Sequence, residues 1–385
     1  MLKHKAHKFR IYPTTEQMIM LGKNFGCVRL VFNHFLTMSI DTYEKDKITL
    51  RYKDYAKELN ALKLEKEFLK ESDSISLQQA LKHLDTSFKI FFRNPKVGYP
   101  KYKRKTDHND SYSTINVNNN IMILDDKQIK LPKLGIVKAK IHRDIPDGYK
   151  LKSATLSKNP SGKYYVSILF EYTEDEINYQ IHKNNIIGLD YSNKELFVSN
   201  DDSLFVDSQF FKIYRKSEEK LHRLQRTLSR RNRPNYKKGI EESIRYEKQR
   251  KKVAKYHEYL KNKRLDYYNK LTNEITNHYD VVVIEDLNMQ DMAKEYKENG
   301  KVVYDNAWGL FTALLKIKLE NKGKKLIKVD KYFPSSKLCN VCGYKNELLT
   351  INVRNWECPN CHTNHNRDIN ASINLRKEGL RIINS

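Results

Sequence analysis

The spacing of apolar and polar residues changes period along the chain, and each change predicts a different element. Residues 1 to about 12 alternate basic and apolar side chains (Lys8, Phe9, Arg10, Ile11, Tyr12) and read as a short strand closed by Pro13. From Thr15 through Phe35 the apolar residues Met18, Leu21, Phe25, Val28, Phe32 and Phe35 recur near helical spacing, and Asp54–Leu69 and Ser76–Phe92 read as further helices. Ser76-Leu77-Gln78-Gln79 resembles a capping box that would start the last of these at Ser76. Asn94 through Lys105 holds two prolines, a glycine and five basic residues, a basic loop. From about 111 to 177 the period is that of strands, and Asn159-Pro160-Ser161-Gly162 between Ser153–Ser157 and Tyr164–Tyr172 signals a hairpin.

A second pattern begins near residue 186. Ile186-Ile187-Gly188-Leu189-Asp190-Tyr191 reads as a buried strand turning into another at Glu195–Ser199. Residues 212–270 are long, basic and helical. Val281-Val282-Val283-Ile284 has the apolar run of a strand buried on both faces, Trp308–Leu319 is an amphipathic helix, Leu326–Val329 a strand, and Asp368–Leu375 starts a last helix. Strands alternating with helices predict an α/β core here. No repeat of 20–50 residues interrupts the pattern.

Composition sharpens the picture. A chain of 385 residues suits two to four compact units at roughly 100–200 residues each. Its 25 tyrosines and 15 phenylalanines argue against global disorder. The net charge of +25 favours a polyanionic partner, and nucleic acid fits better than an acidic membrane because no stretch reaches the roughly 20 apolar residues of a span. Residues 212–270 alone carry 21 Lys or Arg against 7 Asp or Glu, a density suited to tracking a phosphate backbone. Tyr236, Tyr246, Tyr256, Tyr259, Tyr267 and Tyr268 are interleaved there and could stack on bases, although core packing is the simpler role for each. Behind Met1-Leu2-Lys3-His4-Lys5 there is no apolar segment of a secretory signal, so a cytoplasmic, nucleoid-associated protein is expected.

Two constellations carry chemistry. Cys339-x2-Cys342 and Cys358-x2-Cys361, 15 residues apart, fit a four-thiolate zinc site. Four thiolates close a tetrahedral shell, so this zinc would be structural. His362 and His365 are spare ligands, and Cys27 reads as a core residue. The second constellation is Asp190, Glu285 and Asp368. Two lie at the ends of buried strands, where α/β sheets place their sites, and the third opens a helix. Each acid alone is as readily a strand-end or cap residue, and Asp286 and Asp291 compete with Glu285. Three converging carboxylates would repel one another unless cations joined them, and hard oxygen ligands select Mg2+ or Mn2+. Two such ions suit phosphodiester hydrolysis.

These residues resemble a known family. Gly188-Leu189-Asp190, Val283-Ile284-Glu285-Asp286-Leu287-Asn288, Phe333-Pro334-Ser335-Ser336-Lys337-x-Cys339-x2-Cys342-Gly343 and Asn366-Arg367-Asp368-Ile369-Asn370-Ala371 resemble TnpB proteins, transposon-encoded RNA-guided DNA nucleases similar to the ancestors of type V CRISPR effectors. Phe9-Arg10-Ile11-Tyr12-Pro13 and Gly98-Tyr99-Pro100-Lys101-Tyr102-Lys103 add to the likeness. The resemblance implies a multi-domain α+β chain. A wedge β-barrel would be built from residues 1–13 and 111–183, with a helical recognition lobe, 14–110, inserted in it. An RNase H-like RuvC α/β nuclease core would span 184–333, then a zinc ribbon 334–362, then the last core segment 363–385. It implies Asp190, Glu285 and Asp368 as catalytic ligands of Mg2+ (or Mn2+), and Cys339, Cys342, Cys358 and Cys361 as ligands of zinc. The implied partners are a guide RNA derived from the transposon end and a double-stranded target DNA with one strand displaced, in a monomeric ribonucleoprotein. The order Asp, Glu, Asp differs from the Asp, Asp, Glu of cut-and-paste transposases with a related core. Tyr191-Ser192 departs from the Leu-Gly pair common behind the first acid. The competing functions are a nuclease-silent RNA-guided DNA-binding regulator and a guide-independent DNA-binding protein.

Overall fold

The computed structural model describes residues 1–173, 185–193, 195–201, 204, 208–234, 239–295, 303–304, 306–350 and 352–384. These form two compact units, Met1–Glu176 and Ile177–Ser385. The expected boundary at 183/184 and Tyr236 lie outside the described residues.

The first unit is a seven-stranded antiparallel sheet with helices packed on it. Its strands are β1 (Leu2–Tyr12), β2 (Asp110–Ile115), β3 (Met122–Ile123), β4 (Gln128–Leu131), β5 (Gly135–Lys140), β6 (Lys150–Lys158) and β7 (Tyr164–Thr173). They pair in the order β2-β6-β7-β1-β5-β4-β3. The N-terminal strand is therefore central, bonded to β7 from Leu2↔Thr173 to Ile11↔Tyr164 and to β5 on its other edge. Among the described residues the two outer strands do not pair with each other, so hydrogen bonds do not close the sheet into a barrel. The predicted hairpin is β6–β7, with Gly162 at φ +88° in its turn.

Helices α1 (Thr15–Asp46), α2 (Tyr52–Glu65) and α3 (Ser74–Arg93) lie between β1 and β2 in sequence. They share one core with the sheet: Phe25, Phe32 and Phe35 of α1 and Leu77, Leu81 and Leu84 of α3 join Phe9, Ile11, Val166 and Ile168. The segment read as an inserted lobe is thus packed on its sheet. The helix starts differ from expectation. The residue capping α3 is Asp73, whose carboxylate accepts from the Ile75 N–H at 3.1 Å, while Ser76 is buried inside the helix and donates to the Asp73 carbonyl. A capping box opens α1 instead. Thr14 Oγ1 accepts from Gln17 N–H at 3.3 Å and Gln17 Oε1 from Thr14 N–H at 3.0 Å. The Gln17 amide also donates to the carbonyls of Leu134 and Ile136, tying the helix start to β5. A polar side chain with two jobs reads from sequence as surface; only the fold shows the second.

The second unit has a four-stranded sheet of β8 (Ile186–Ser192), β9 (Leu196–Ser199), β10 (Val281–Glu285) and β11 (Lys325–Val329), ordered β11-β10-β8-β9. The three strands β11, β10 and β8 are parallel, and β9 turns back antiparallel to β8. Both faces are covered, as an unbroken apolar run requires. Ile187, Leu189, Val282 and Ile284 pack toward α4 (Ser208–Ser229), α5 (Ile244–His278) and α7 (Trp308–Asn321). The short helix α6 (Met289–Glu295) precedes α7. Ile186, Val281 and Val283 pack on the other face with Leu375 of the terminal helix α8 (Arg367–Asn384).

The basic region 212–270 is a helical pair broken after Ser229. Tyr214–Arg264 and Leu224–Gln249 hydrogen bonds run α4 and α5 antiparallel. Its tyrosines mostly pack: Tyr267 stacks on Phe210 at 3.9 Å, Tyr268 is fully buried, and Tyr259 is half exposed.

Candidate functional site

Strand register sets the first two carboxylates side by side. Leu189 pairs with Ile284 across the parallel β8–β10 ladder, so Asp190 and Glu285 occupy the next step on adjacent strands, about 4.8 Å apart in the bonding direction. Side chains alternate along a strand, so Asp190 points to the same face as Gly188 and Ile186, the face covered by α8. Gly188 is what lets that helix approach. A Cβ built on it would lie 2.0 Å from the Ser372 carbonyl oxygen and 2.8 Å from the Arg376 nitrogen. Asp368 stands one helical turn before Ser372 and so falls over the Asp190 end of β8. Asn366 caps α8, accepting from the N–H groups of Asp368 and Ile369 at 3.1 and 3.2 Å.

The three acids line one cleft of about 540 Å³, together with Tyr191, Ser336, Arg354 and Arg367 among others. Burial pushes the half-buried Asp190 carboxyl well above the usual carboxylate range, and Glu285 and Asp368 push the same way against Arg367 and Arg354. Glu285 is also raised, again chiefly by burial, opposed by a hydrogen bond from Ser335 Oγ and by Arg367. A group held this way gains from a nearby cation. Asp286 and Asp291 do not line the cleft: Asp286 pairs with Lys328 at 2.7 Å and Asp291 with Asn288 and Lys294.

Two partners of these acids were not read from the sequence. Arg354 Nη1 alone donates to both oxygens of Asp368, each at 2.9 Å, a charge-assisted pair. Ser335 belongs to the quoted motif, but its bond to Glu285 spans fifty positions and leaves no local signal. The Tyr191-Ser192 departure is well supported. The Tyr191 ring meets Trp308 edge-on at 5.2 Å, and the buried Asn306 amide donates to the carbonyls of Ser192 and Asn193 at 3.3 and 3.0 Å.

The four cysteines converge as two matching turns. Gly343 N–H bonds to the Cys339 carbonyl and His362 N–H to the Cys358 carbonyl, each at 2.9 Å, and both turns end on positive φ, +77° at Gly343 and +56° at His362. The sulfurs all lie within 4.8 Å of one another, with Cys339–Cys361 and Cys342–Cys358 both at 3.6 Å. A tetrahedron of 2.3 Å Zn–S bonds needs about 3.8 Å between sulfurs, so the set fits zinc. His362 is turned away to Glu357 at 2.8 Å, whereas His365 Nε2 lies 3.1 Å from Cys339 Sγ behind the set. The second turn is carried by a hairpin of β12 (Asn355–Glu357) and β13 (Asn364–Asn366), which runs past residue 362 into α8. Among the described residues this is the one set of ligand atoms so close; the three carboxylates share their cleft without closing as tightly, and Asp368 is drawn to Arg354. Cys27 is buried in the first unit's core.

Fold and site thus define a mixed α/β chain with a carboxylate cleft beside a four-cysteine knuckle. Three sequence families match: "Helix-turn-helix domain" over residues 1–47, "Probable transposase" over 168–295, and "Cas12f1-like, TNB domain" over 308–375. Residues 1–47 here form a strand and one continuous helix. The chain is 32% identical over 382 residues to a "Putative RNA-guided DNA endonuclease" of Streptomyces pristinaespiralis, covering 98% of this chain and 89% of that protein. It is 27% identical over 403 residues to InsQ of Escherichia coli K12, described in the same words, covering 100% and 94%. The Cas12f1 chain of a cryo-EM complex with sgRNA and target DNA matches its fold, with a TM-score of 0.53 at 13% identity over 97% and 99% of the two chains. The chain belongs to the TnpB family.

Proposed function

We propose that the protein is an RNA-guided, divalent-metal-dependent DNA endonuclease of a transposable element. The observation that carries this is the parallel register that sets Asp190 beside Glu285, with Asp368 brought into the same cleft by α8. The names of its relatives and the +25 charge support the substrate class. In this reading the second unit is an RNase H-like RuvC core interrupted by a zinc ribbon, and the first is a wedge domain with its recognition helices. The partners are a transposon-derived guide RNA and matching DNA, and the particle is monomeric.

Asp190, Glu285 and Asp368 are the residues that would hold Mg2+ or Mn2+, and Cys339, Cys342, Cys358 and Cys361 would hold zinc. Bound divalent ions supply water activation and charge neutralisation at a phosphodiester. The chain itself contributes the rest. The α7 side anchors the turn behind Asp190 through Asn306, and Ser335 fixes one oxygen of Glu285. The exposed lysines of α5 offer a track for a displaced strand.

The test is Asp190→Asn in the RNA-bound protein, assayed with Mg2+ on a plasmid matching its guide. Loss of cleavage with target binding retained is the expected result; full cleavage sinks the assignment. Binding without cleavage by the unaltered protein would instead establish the silent regulator. Purification without a transcript of defined length would establish guide-independent binding.

A further inference from the structure

Two buried asparagines on one face of α8 hold the loop that joins Glu285 to the cysteine knuckle. Asn370 is 1% exposed and Asn374 5%. The Asn374 amide donates to the carbonyls of Ser335 and Leu338 at 2.8 and 2.7 Å. One turn earlier, the Asn370 amide donates to Leu338 at 2.7 Å, and its oxygen accepts from the backbone and side-chain nitrogens of Asn340, both at 2.9 Å. The loop from Ser335 to Asn340 is thus clamped at both ends. At one end the Ser335 hydroxyl donates to Glu285; at the other lies Cys339.

We infer that Ser335 is a positioning residue for Glu285, and that Asn374 and the knuckle set its place. A buried serine usually spends its hydroxyl on a nearby backbone group. Ser335 is 3% exposed and gives it to a carboxylate on another element. One donor on Oε1 restricts the rotation of the carboxylate, and Glu285 lines the cleft. Glu285 needs that constraint because it ends its strand and, among the described residues, its carboxylate accepts no other side-chain hydrogen bond. The same helix that delivers Asp368 also delivers Asn374, so one element sets two of the three acids. The knuckle then acts as a brace for the carboxylate cleft as well as for its own hairpin. This inference rests on the reading of Glu285 as a metal ligand.

The test compares Ser335→Ala, Ser335→Thr and Asn374→Asp in the full chain. Zinc per chain is counted first, then the rise in melting temperature with added Mn2+, then Mg2+-dependent cleavage by the RNA-bound protein. Ser335→Ala should keep its zinc and its melting temperature without Mn2+, yet need about tenfold more Mn2+ for the same rise, the loss set by one hydrogen bond to a charged group. Ser335→Thr should restore the response, and Asn374→Asp should behave as Ser335→Ala. Unchanged metal response in Ser335→Ala overturns the positioning role. So does a loss of zinc and of melting temperature in step with the metal response, which marks a merely structural loop. Normal cleavage by Glu285→Gln would instead overturn the proposed function, so the two failures are distinguishable.

Discussion

Replacing Gly188 with alanine tests the contact on which the whole cleft depends. The added Cβ would stand 2.0 Å from the Ser372 carbonyl oxygen and 3.1 Å from its carbon, both backbone atoms of a helix that cannot rotate out of the way. Real Cβ atoms keep at least 3.0 Å, so α8 and β8 must part by about 1 Å locally. Overpacking of a close-packed interior costs roughly 1–3 kcal/mol, and a backbone obstacle places this case at the upper end. In a unit of this size each kcal/mol lowers the melting temperature by roughly 2–4 °C. Asp368 sits one turn from Ser372 and moves with it, and misplacing a reacting group by about 1 Å can lower a rate about 100-fold. Calorimetry of Gly188→Ala should therefore show a loss of roughly 5–10 °C, and plasmid cleavage at saturating Mg2+ should fall about 100-fold. A melting temperature within about 1 °C of wild type together with undiminished cleavage would refute the argument that α8 places Asp368 through this contact.

Removing zinc with a chelator, or introducing Cys358→Ser, should release amide protection in residues 335–366 while β8 and β10 stay protected, because the core in which those strands lie does not include the knuckle. Hydrogen exchange followed by mass spectrometry reads both regions at once, and protection unchanged at the knuckle would contradict a zinc site. Lys248, Lys252 and Lys255 form an exposed stripe at helical spacing on α5. Changing all three to glutamine should lower the slope of log binding constant against log salt by about 2–3, as each lost phosphate contact removes roughly 0.7–0.9; filter binding across a salt series checks it. His7 is buried, its two ring nitrogens lack hydrogen-bond partners among the described residues, and burial lowers its pKa, helped by Arg143, Lys5 and His142. Below the ordinary histidine pKa of about 6.5 the unfolded chain takes up a proton that the folded unit refuses, so stability falls with pH, by up to about 1.4 kcal/mol per pH unit. His7→Phe should flatten that dependence in denaturant titrations at pH 7 and 5; an unchanged slope would assign it elsewhere.

Much of this protein was legible in its residues because the signals were local. The period of Phe9–Ile11, the turn at Asn159–Gly162, the run Val281–Ile284 and the paired CxxC turns each reflect constraints within a few residues, and the elements and knuckle formed where they pointed. The capping-box pattern at Ser76 is satisfied by any Ser and Gln three apart; Asp73, one turn earlier, competes for the same helix start and wins. The expected barrel is not closed by strand pairing among the described residues, because closure depends on pairing across the whole unit rather than on local pattern.

Residue type and strand context alone nominated Asp190, Glu285 and Asp368, and spacing alone nominated the four cysteines. Tertiary structure decided how they meet. Register between β8 and β10 aligned the first two acids, and the missing side chain of Gly188 admitted the helix that carries the third. It also introduced Arg354 at Asp368 and Ser335 at Glu285, partners 14 and 50 positions away. Sequence specifies what a side chain can bond; only the packed backbone specifies which distant group lies within hydrogen-bond reach, because such bonds form over about 3 Å and have no counterpart in sequence separation.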